Sequence, residues 1–86
     1  MTRDDILAKV RVLAHDQFGI APEEVTAVSD ITDDLGADSL ERTALWSSLE
    51  EEFNICLDDA TVDGLQTVGD IVDAVGAALD GKGAPR

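Results

Sequence analysis

Residues 33–53 read DDLGADSLERTALWSSLEEEF, and the rest of the chain is organised around this stretch. One side of its second half is apolar at helical spacing: Leu45, Leu49 and Phe53. Asp38 can cap the free amides of such a helix, and Glu41 then lies in its first turn. We therefore predict a helix from Asp38 to about Phe53, with Ser39 at its start.

Upstream, a second helical pattern predicts a helix from about Thr2 to Phe18. Its apolar stripe contains Ile6, Val10, Leu13 and Ala14. Thr2 followed by Asp5 is typical of a capping box, and Gly19 is a suitable left-handed stop. Residues 20–37 lack a sustained period, which predicts a long loop with one short turn. We expect apolar side chains to anchor this loop: Val25, Val28, Ile31 and Leu35.

Downstream, the segment between Asp59 and Leu65 has room for a short helix closed by Gly64. Thr67 and Asp70 repeat the capping pattern and open a further helix. The stripe of that helix is Val68, Ile71, Val72, Val75 and Leu79. We predict an all-α bundle of three main helices and one short helix, forming one domain over residues 1–80 with a flexible tail over 81–86.

Composition excludes several classes of protein. The chain has 86 residues and a net charge of −13. Between Asp16 and Asp80, Arg42 is the one basic residue against 17 acids, so we expect basic partners and no binding to nucleic acid. A lone Cys56, expected to be a small core residue or a partly covered thiol, gives no disulfide scaffold. Without a signal-peptide pattern or a long apolar run, we expect a cytoplasmic monomer that does not bind membranes.

The motif D-L-G-A-D-S-L over residues 34–40, followed by L-E-E-E-F, resembles the acyl carrier protein family. The resemblance extends over nearly the whole chain and is closest to stand-alone carriers of type II synthases. It implies a phosphopantetheine group on Ser39, transferred from coenzyme A by a phosphopantetheinyl transferase with a magnesium ion that Asp38 could help hold. It also implies a carrier without catalysis of its own. Its partners would be an acyltransferase or ligase, a ketosynthase and other synthase enzymes with basic docking patches.

The residue chemistry agrees with this resemblance. A phosphodiester on Ser39 would lie beside unpaired backbone amides at the positive end of a helix dipole. Acidic and small residues near Ser39 would steer basic partners, although charged residues also commonly just solvate an outer face. Leu40 is either an exposed contact or part of the core. The predicted partner-binding residues are Asp34, Asp38, Leu40, Glu41, Ala44, Ser47, Glu50 and Glu51.

Departures from the family pattern bear on the pathway. Thr43 and Ala44 occupy positions where the family commonly has a valine and an acid, which favours dedicated partners in polyketide or related specialised biosynthesis. Primary fatty-acid synthesis and an aminoacyl or peptidyl cargo stay open as alternatives. Arg42 lies on the side of Trp46, and we expect it to cover Trp46 at the rim or to pair with a carboxylate. These two residues would narrow the cargo cleft and favour short or polar cargo.

Alternatives from other classes are weaker. A hydrolase would need a base for Ser39, but His15 is predicted on the polar side of the first helix, and the chain has no G-x-S-x-G turn. A calcium loop could use Asp30, Asp34 and Glu41, but Leu35 replaces its essential glycine, so we expect no metal site. An acidic interaction module without a cofactor would be distinguished by the mass of the purified protein.

Overall fold

The computed structural model describes residues 2–81. Within that range it contains four α-helices and no strand, which confirms the predicted fold class. The helices are α1 (Arg3–Phe18), α2 (Ser39–Phe53), α3 (Asp59–Asp63) and α4 (Val68–Gly81). A single 3₁₀ turn, Pro22–Glu24, interrupts the loop between α1 and α2, as predicted. Helix α4 includes Gly81, and the remainder of the predicted tail lies outside the described residues.

Local capping chemistry sets the ends of the helices. The Thr2 side chain accepts a hydrogen bond from the Asp5 amide, and the Asp5 carboxylate accepts one from the Thr2 amide. Gly19 then ends α1 in the left-handed region with φ of 72°. Asn54 ends α2 in the same region with φ of 55°, a conformation that asparagine tolerates better than most residues. The capping signals at both ends of α1 therefore act as the sequence predicts.

The core is formed by the three long helices, closed by the loop. The helices contribute Ile6, Val10, Ala14, Leu45, Leu49, Phe53, Val68, Ile71, Val72 and Val75. Leu13 and Leu79, both predicted to face the core, are half-buried and pack against it. Helix α3 has no buried residue, so it contributes little to the core and is weakly anchored by packing. None of the helices within residues 2–81 is long and apolar enough to span a membrane.

The long loop is anchored differently from the prediction at one position. Val25, Ile31 and Leu35 are buried, as expected, but Val28 is 83% exposed, so its predicted anchoring role was wrong. Ser29 is buried instead, and its hydroxyl accepts a hydrogen bond from the Thr26 amide at 3.0 Å. The turn over residues 26–29 satisfies these polar groups internally and directs Val28 to solvent.

Backbone pairing ties the loop to the start of α4. The Ile31 amide donates to the Gln66 carbonyl at 2.9 Å, and the Gly69 amide donates to the Ala27 carbonyl at 2.7 Å. These bonds flank an isolated antiparallel bridge between Asp30 and Thr67. Because the loop is held at this point, its last residues approach α2 along a fixed path.

Candidate functional site

Ser39 is the first residue of α2 and is exposed. The approach to it is constrained, because the side chains of Leu35 and Ala37 are buried on either side of Gly36. Gly36 has φ of 73°, a left-handed conformation that other residues rarely adopt. With Ala37 held in the core, Asp38 and Ser39 emerge at the surface.

A capping box fixes the first turn of α2. Asp38 Oδ1 accepts from the Glu41 amide at 2.8 Å, while Glu41 Oε1 accepts from the Asp38 amide at 3.1 Å. The Thr43 hydroxyl donates to the Ser39 carbonyl at 3.0 Å. The amides of Ser39 and Leu40 belong to the first turn, where a helix offers them no acceptor. An anionic phosphodiester on the Ser39 hydroxyl fits this environment of free amides and positive helix dipole.

Helix α2 presents three different surfaces. Its core face is Leu45, Leu49 and Phe53. A second stripe, spaced at three and four residues, lines a groove against the α3 side: Ser39, Arg42, Thr43, Trp46, Ser47 and Glu50. The third surface is exposed to solvent and includes Leu40, Ala44 and Glu51. Ser39 therefore lies at the start of the groove and beside the solvent-exposed surface.

The predicted partner-binding residues divide between these surfaces. Leu40 is 81% exposed, so the alternative that it is part of the core is wrong. Ala44 and Glu51 are exposed beside it, whereas Ser47 and Glu50 line the groove. The Glu50 carboxylate accepts from the Leu57 amide at 2.8 Å and so helps to fix the connection from α2 to α3.

The acids at the tip of α2 also make local hydrogen bonds. Asp34 is exposed, and its carboxylate accepts from the Asp30 amide at 2.7 Å. Asp38 and Glu41 are engaged in the capping box but are exposed as well. A carboxylate that accepts one backbone hydrogen bond retains further lone pairs and its charge. Asp38 and Glu41 thus cap the start of α2, and Asp34 caps a turn in the preceding loop, while all three remain exposed.

Arg42 and Trp46, the predicted cargo-cleft residues, meet in the groove. The guanidinium carbon lies 5.8 Å from the centre of the Trp46 ring, within the range of a cation–π contact. Arg42 Nη2 donates to the Leu65 carbonyl at 3.1 Å. Arg42 therefore covers Trp46 at the rim, as expected. It is also bonded to a backbone carbonyl, a partner that the sequence did not indicate.

The groove has a volume of about 510 Å³. Its far wall comes from residues that the sequence did not single out: Leu57, Asp59, Val62 and Asp63. No local signal could have found them, because the periodicity of so short a helix does not say which side faces α2.

The structure does not support the other sequence-based sites. His15 is exposed near the end of α1, where its Nδ1 is 3.1 Å from the Ile20 carbonyl oxygen, and no histidine is among the described residues lining the groove. The Asp30 carboxylate accepts from the amides of Thr32 and Asp33 within its own turn. Residues 2–81 contain no group of three or more potential metal ligands. Cys56 is exposed, so its interpretation as a core residue was wrong.

Two helix-capping carboxylates have perturbed acidity. Hydrogen bonding by Thr61 to Asp58 at the start of α3 lowers the pKa of the Asp58 carboxyl. At the start of α4, the backbone amides of Gln66 and Thr67 lower the pKa of Asp70. Both acids are therefore more firmly ionised in the folded protein than in the unfolded chain.

Comparisons with known proteins agree with the geometry. The family model described as "Phosphopantetheine attachment site" matches residues 8–75. An acyl carrier protein from Cyanidium caldarium is 37% identical over 82 residues, which cover 95% of each chain. One from Caulobacter vibrioides is 44% identical over 68 residues, covering 79% of this chain and 87% of that protein.

A solved structure gives the same result. The acyl carrier protein from Enterococcus faecalis superposes with a TM-score of 0.75 at 35% sequence identity. The match covers 90% of this chain and 98% of that structure. This chain therefore belongs to the acyl carrier protein family and contains the phosphopantetheine attachment domain of that family.

Proposed function

We propose that Ser39 Oγ carries the phosphopantetheine group and that the protein delivers acyl groups between enzymes as thioesters on the thiol of that group. The observation that supports this most directly is the exposed hydroxyl of Ser39 at the capped start of α2. The free amides of that turn favour an anionic attachment. The other serines of α2 lie further along the helix, away from those amides.

Attachment requires a separate enzyme. The Ser39 oxygen forms a bond to the phosphorus next to the pantetheine of coenzyme A, and the pyrophosphate P–O bond breaks to release the nucleotide. The serine proton goes to a base on the phosphopantetheinyl transferase. In this proposal the protein is a carrier that supplies the position and the charge of the attachment site, without catalysis of its own.

The solvent-exposed surface of α2 is the proposed docking surface. Leu40 would be its apolar contact, and acids at the tip of the helix would face basic patches on a ketosynthase and on an acyltransferase or ligase. Charge attraction of this kind accelerates association more than it strengthens the final complex. Short-lived contacts of that type suit a carrier that visits several enzymes in turn.

Mass spectrometry tests the attachment. The protein is incubated with coenzyme A and a phosphopantetheinyl transferase of broad specificity, and the intact mass is measured. One phosphopantetheine group is expected on the wild type and on S48A, a matched control at a serine of the same helix that bonds to Gln17 of α1. No addition is expected on S39A. Unmodified wild type, or modified S39A, would refute the assignment of Ser39.

We further propose that the cargo belongs to polyketide or related specialised biosynthesis. Two features support this: Thr43 and Ala44 alter the surface next to Ser39, and the groove beside Ser39 is largely polar. The double variant T43V/A44E is expected to increase the rate of elongation by a fatty-acid ketosynthase. The control A8E adds the same charge at an exposed position of α1 and should not increase that rate.

If the wild type already reaches the rate of the double variant, primary fatty-acid synthesis becomes the better assignment. Loading by an amino-acid ligase in preference to acyl ligases would instead indicate an aminoacyl or peptidyl carrier.

A further inference from the structure

The groove beside Ser39 is mostly polar. Among the six side chains that α2 contributes, Trp46 is the one large apolar group. The opposite wall adds two acids, Asp59 and Asp63, together with Leu57 and Val62. A volume of about 510 Å³ lies within the usual range for small-molecule sites, about 300–1,000 Å³. A chain tethered at Ser39 would therefore meet polar walls before any continuous apolar surface.

Arg42 stands between this groove and the core. Its guanidinium bonds to the backbone of Leu65, whose side chain is buried with the core residues Leu45 and Val68. Helix α3 has no buried residue, so packing holds that wall of the groove weakly. The Arg42–Leu65 hydrogen bond joins α2 to the segment after α3. The link therefore lies between the groove, which Arg42 lines, and the buried side chain of Leu65.

The same guanidinium offers hydrogen bonds to suitable cargo. Arginine has five N–H donors, of which one bonds to Leu65 in the described part of the chain. A saturated chain would desolvate the remaining donors without replacing their hydrogen bonds, which is unfavourable. Carbonyl and hydroxyl oxygens near the thioester would accept those bonds. Carboxylate-bearing chains would be repelled by Glu50, Asp59 and Asp63 around the groove.

We infer that Arg42 is a specificity-determining residue: it keeps long saturated chains out of the core and binds short, neutral acyl chains that bear carbonyl or hydroxyl oxygens. The inference rests on the proposed attachment at Ser39. Trp46 supports the role of Arg42 because the guanidinium lies over its ring. The chemical class of cargo follows from the donors of Arg42 and from the acids that surround them.

The test compares three cargoes on the intact protein: butyryl, 3-oxobutyryl and octanoyl, each joined through a non-hydrolysable amide in place of the thioester. Intact mass first establishes that one group is present on each sample. Absence of loading would contradict the proposed attachment and not the role of Arg42. Amide and Arg42 side-chain resonances are then compared with those of the protein carrying the unacylated group.

In the wild type, octanoyl is expected to leave the amide resonances of Leu45, Leu65 and Val68 in place. The 3-oxobutyryl group should shift the Arg42 Nε–H resonance, while butyryl should not. In R42M, octanoyl should shift the three core amides. R11M is the matched control, because Arg11 Nε also donates to a backbone carbonyl, that of Val25, at 2.7 Å.

In R11M, octanoyl should leave the amide resonances of the three core residues unshifted, as in the wild type. The inference is overturned if octanoyl shifts the core amides of the wild type as strongly as those of R42M, or if butyryl and 3-oxobutyryl affect Arg42 equally. The wild-type comparison decides the question even if a variant fails to fold.

Discussion

Replacing Asp38 by alanine tests whether the capping box stabilises the helix start that presents Ser39. Asp38 Oδ1 accepts the Glu41 amide at 2.8 Å, and this bond disappears in D38A. The reciprocal bond, from the Asp38 amide to Glu41 Oε1 at 3.1 Å, can still form. Loss of an N-cap acceptor lowers the free energy of unfolding by about 1 kcal/mol, within about 0.5–2 kcal/mol.

The effect of the removed charge on stability has to be distinguished from the effect of the lost hydrogen bond. In a chain of net charge −13, removing an acid relieves repulsion, while the helix dipole loses a favourable anion. D38N makes the same change in charge but keeps a side-chain oxygen, and asparagine caps about as well as aspartate. The difference between D38A and D38N therefore isolates the capping bond.

Thermal unfolding followed by circular dichroism measures that difference. For a domain of 60–100 residues, about 1 kcal/mol corresponds to roughly 4–8 °C in Tm. D38A is expected to melt lower than D38N by this amount, and amide hydrogen exchange should accelerate at Glu41, whose amide bonds to the Asp38 side chain, and at Arg42 in the same turn. Equal Tm values for the two variants, with unchanged exchange at these amides, would refute the idea that the capping box holds the tip of α2.

Three further predictions concern stability. In G69A the new Cβ would lie 2.9 Å from the Ala27 carbonyl oxygen, so urea denaturation should show a loss of about 1–3 kcal/mol, whereas G76A has room and should not lose stability. Because the pKa of Asp70 is lowered by folding, its stabilising effect is complete above the unfolded pKa of about 3.9 and disappears as pH falls through the lower folded pKa. In D70N the free energy of unfolding should therefore fall less steeply as the pH is lowered through this range. Raising NaCl from about 0.01 to about 0.15 M shortens the screening length from about 30 to about 8 Å and should raise Tm; an unchanged or lower Tm would contradict dominant repulsion among the acids.

The helices were predictable because their signals are local. Thr2 and Gly19 bound α1 through contacts within one turn, and Asp38 caps α2 through the amide three residues ahead. Apolar residues at helical spacing identified the core faces of the three long helices. The position of Ser39 in the first turn was predictable in the same way because it follows the expected cap, whereas its role as attachment site was inferred from the family resemblance.

What the sequence did not indicate concerns a loop without periodicity and contacts between distant parts of the chain. Val28 was expected to be an anchor because it is apolar, but a loop without periodicity does not show which side chains point inward. The hydrogen bond from Arg42 to Leu65 joins residues 23 positions apart, and no pattern on α2 announces it. The wall of the groove formed by Asp59 and Asp63 depends in the same way on how α3 packs.

The three surfaces of α2 leave it little packing, because only Leu45, Leu49 and Phe53 of its 15 residues are buried. The groove and the solvent-exposed surface take most of the other residues, and polar contacts on the side facing α1 help to hold the helix. Gln17 Nε2 donates to the Ser48 hydroxyl at 2.7 Å, and Lys9 pairs with Glu52 at 3.0 Å.

The starts of the helices are also stabilised by polar contacts rather than by packing. Within residues 2–81, each of the four helices begins at a side chain that accepts a backbone hydrogen bond: Thr2, Asp38, Asp58 and Thr67. At Asp38 this stabilisation lies directly beside Ser39. The cap therefore fixes the backbone turn from which the exposed Ser39 side chain projects.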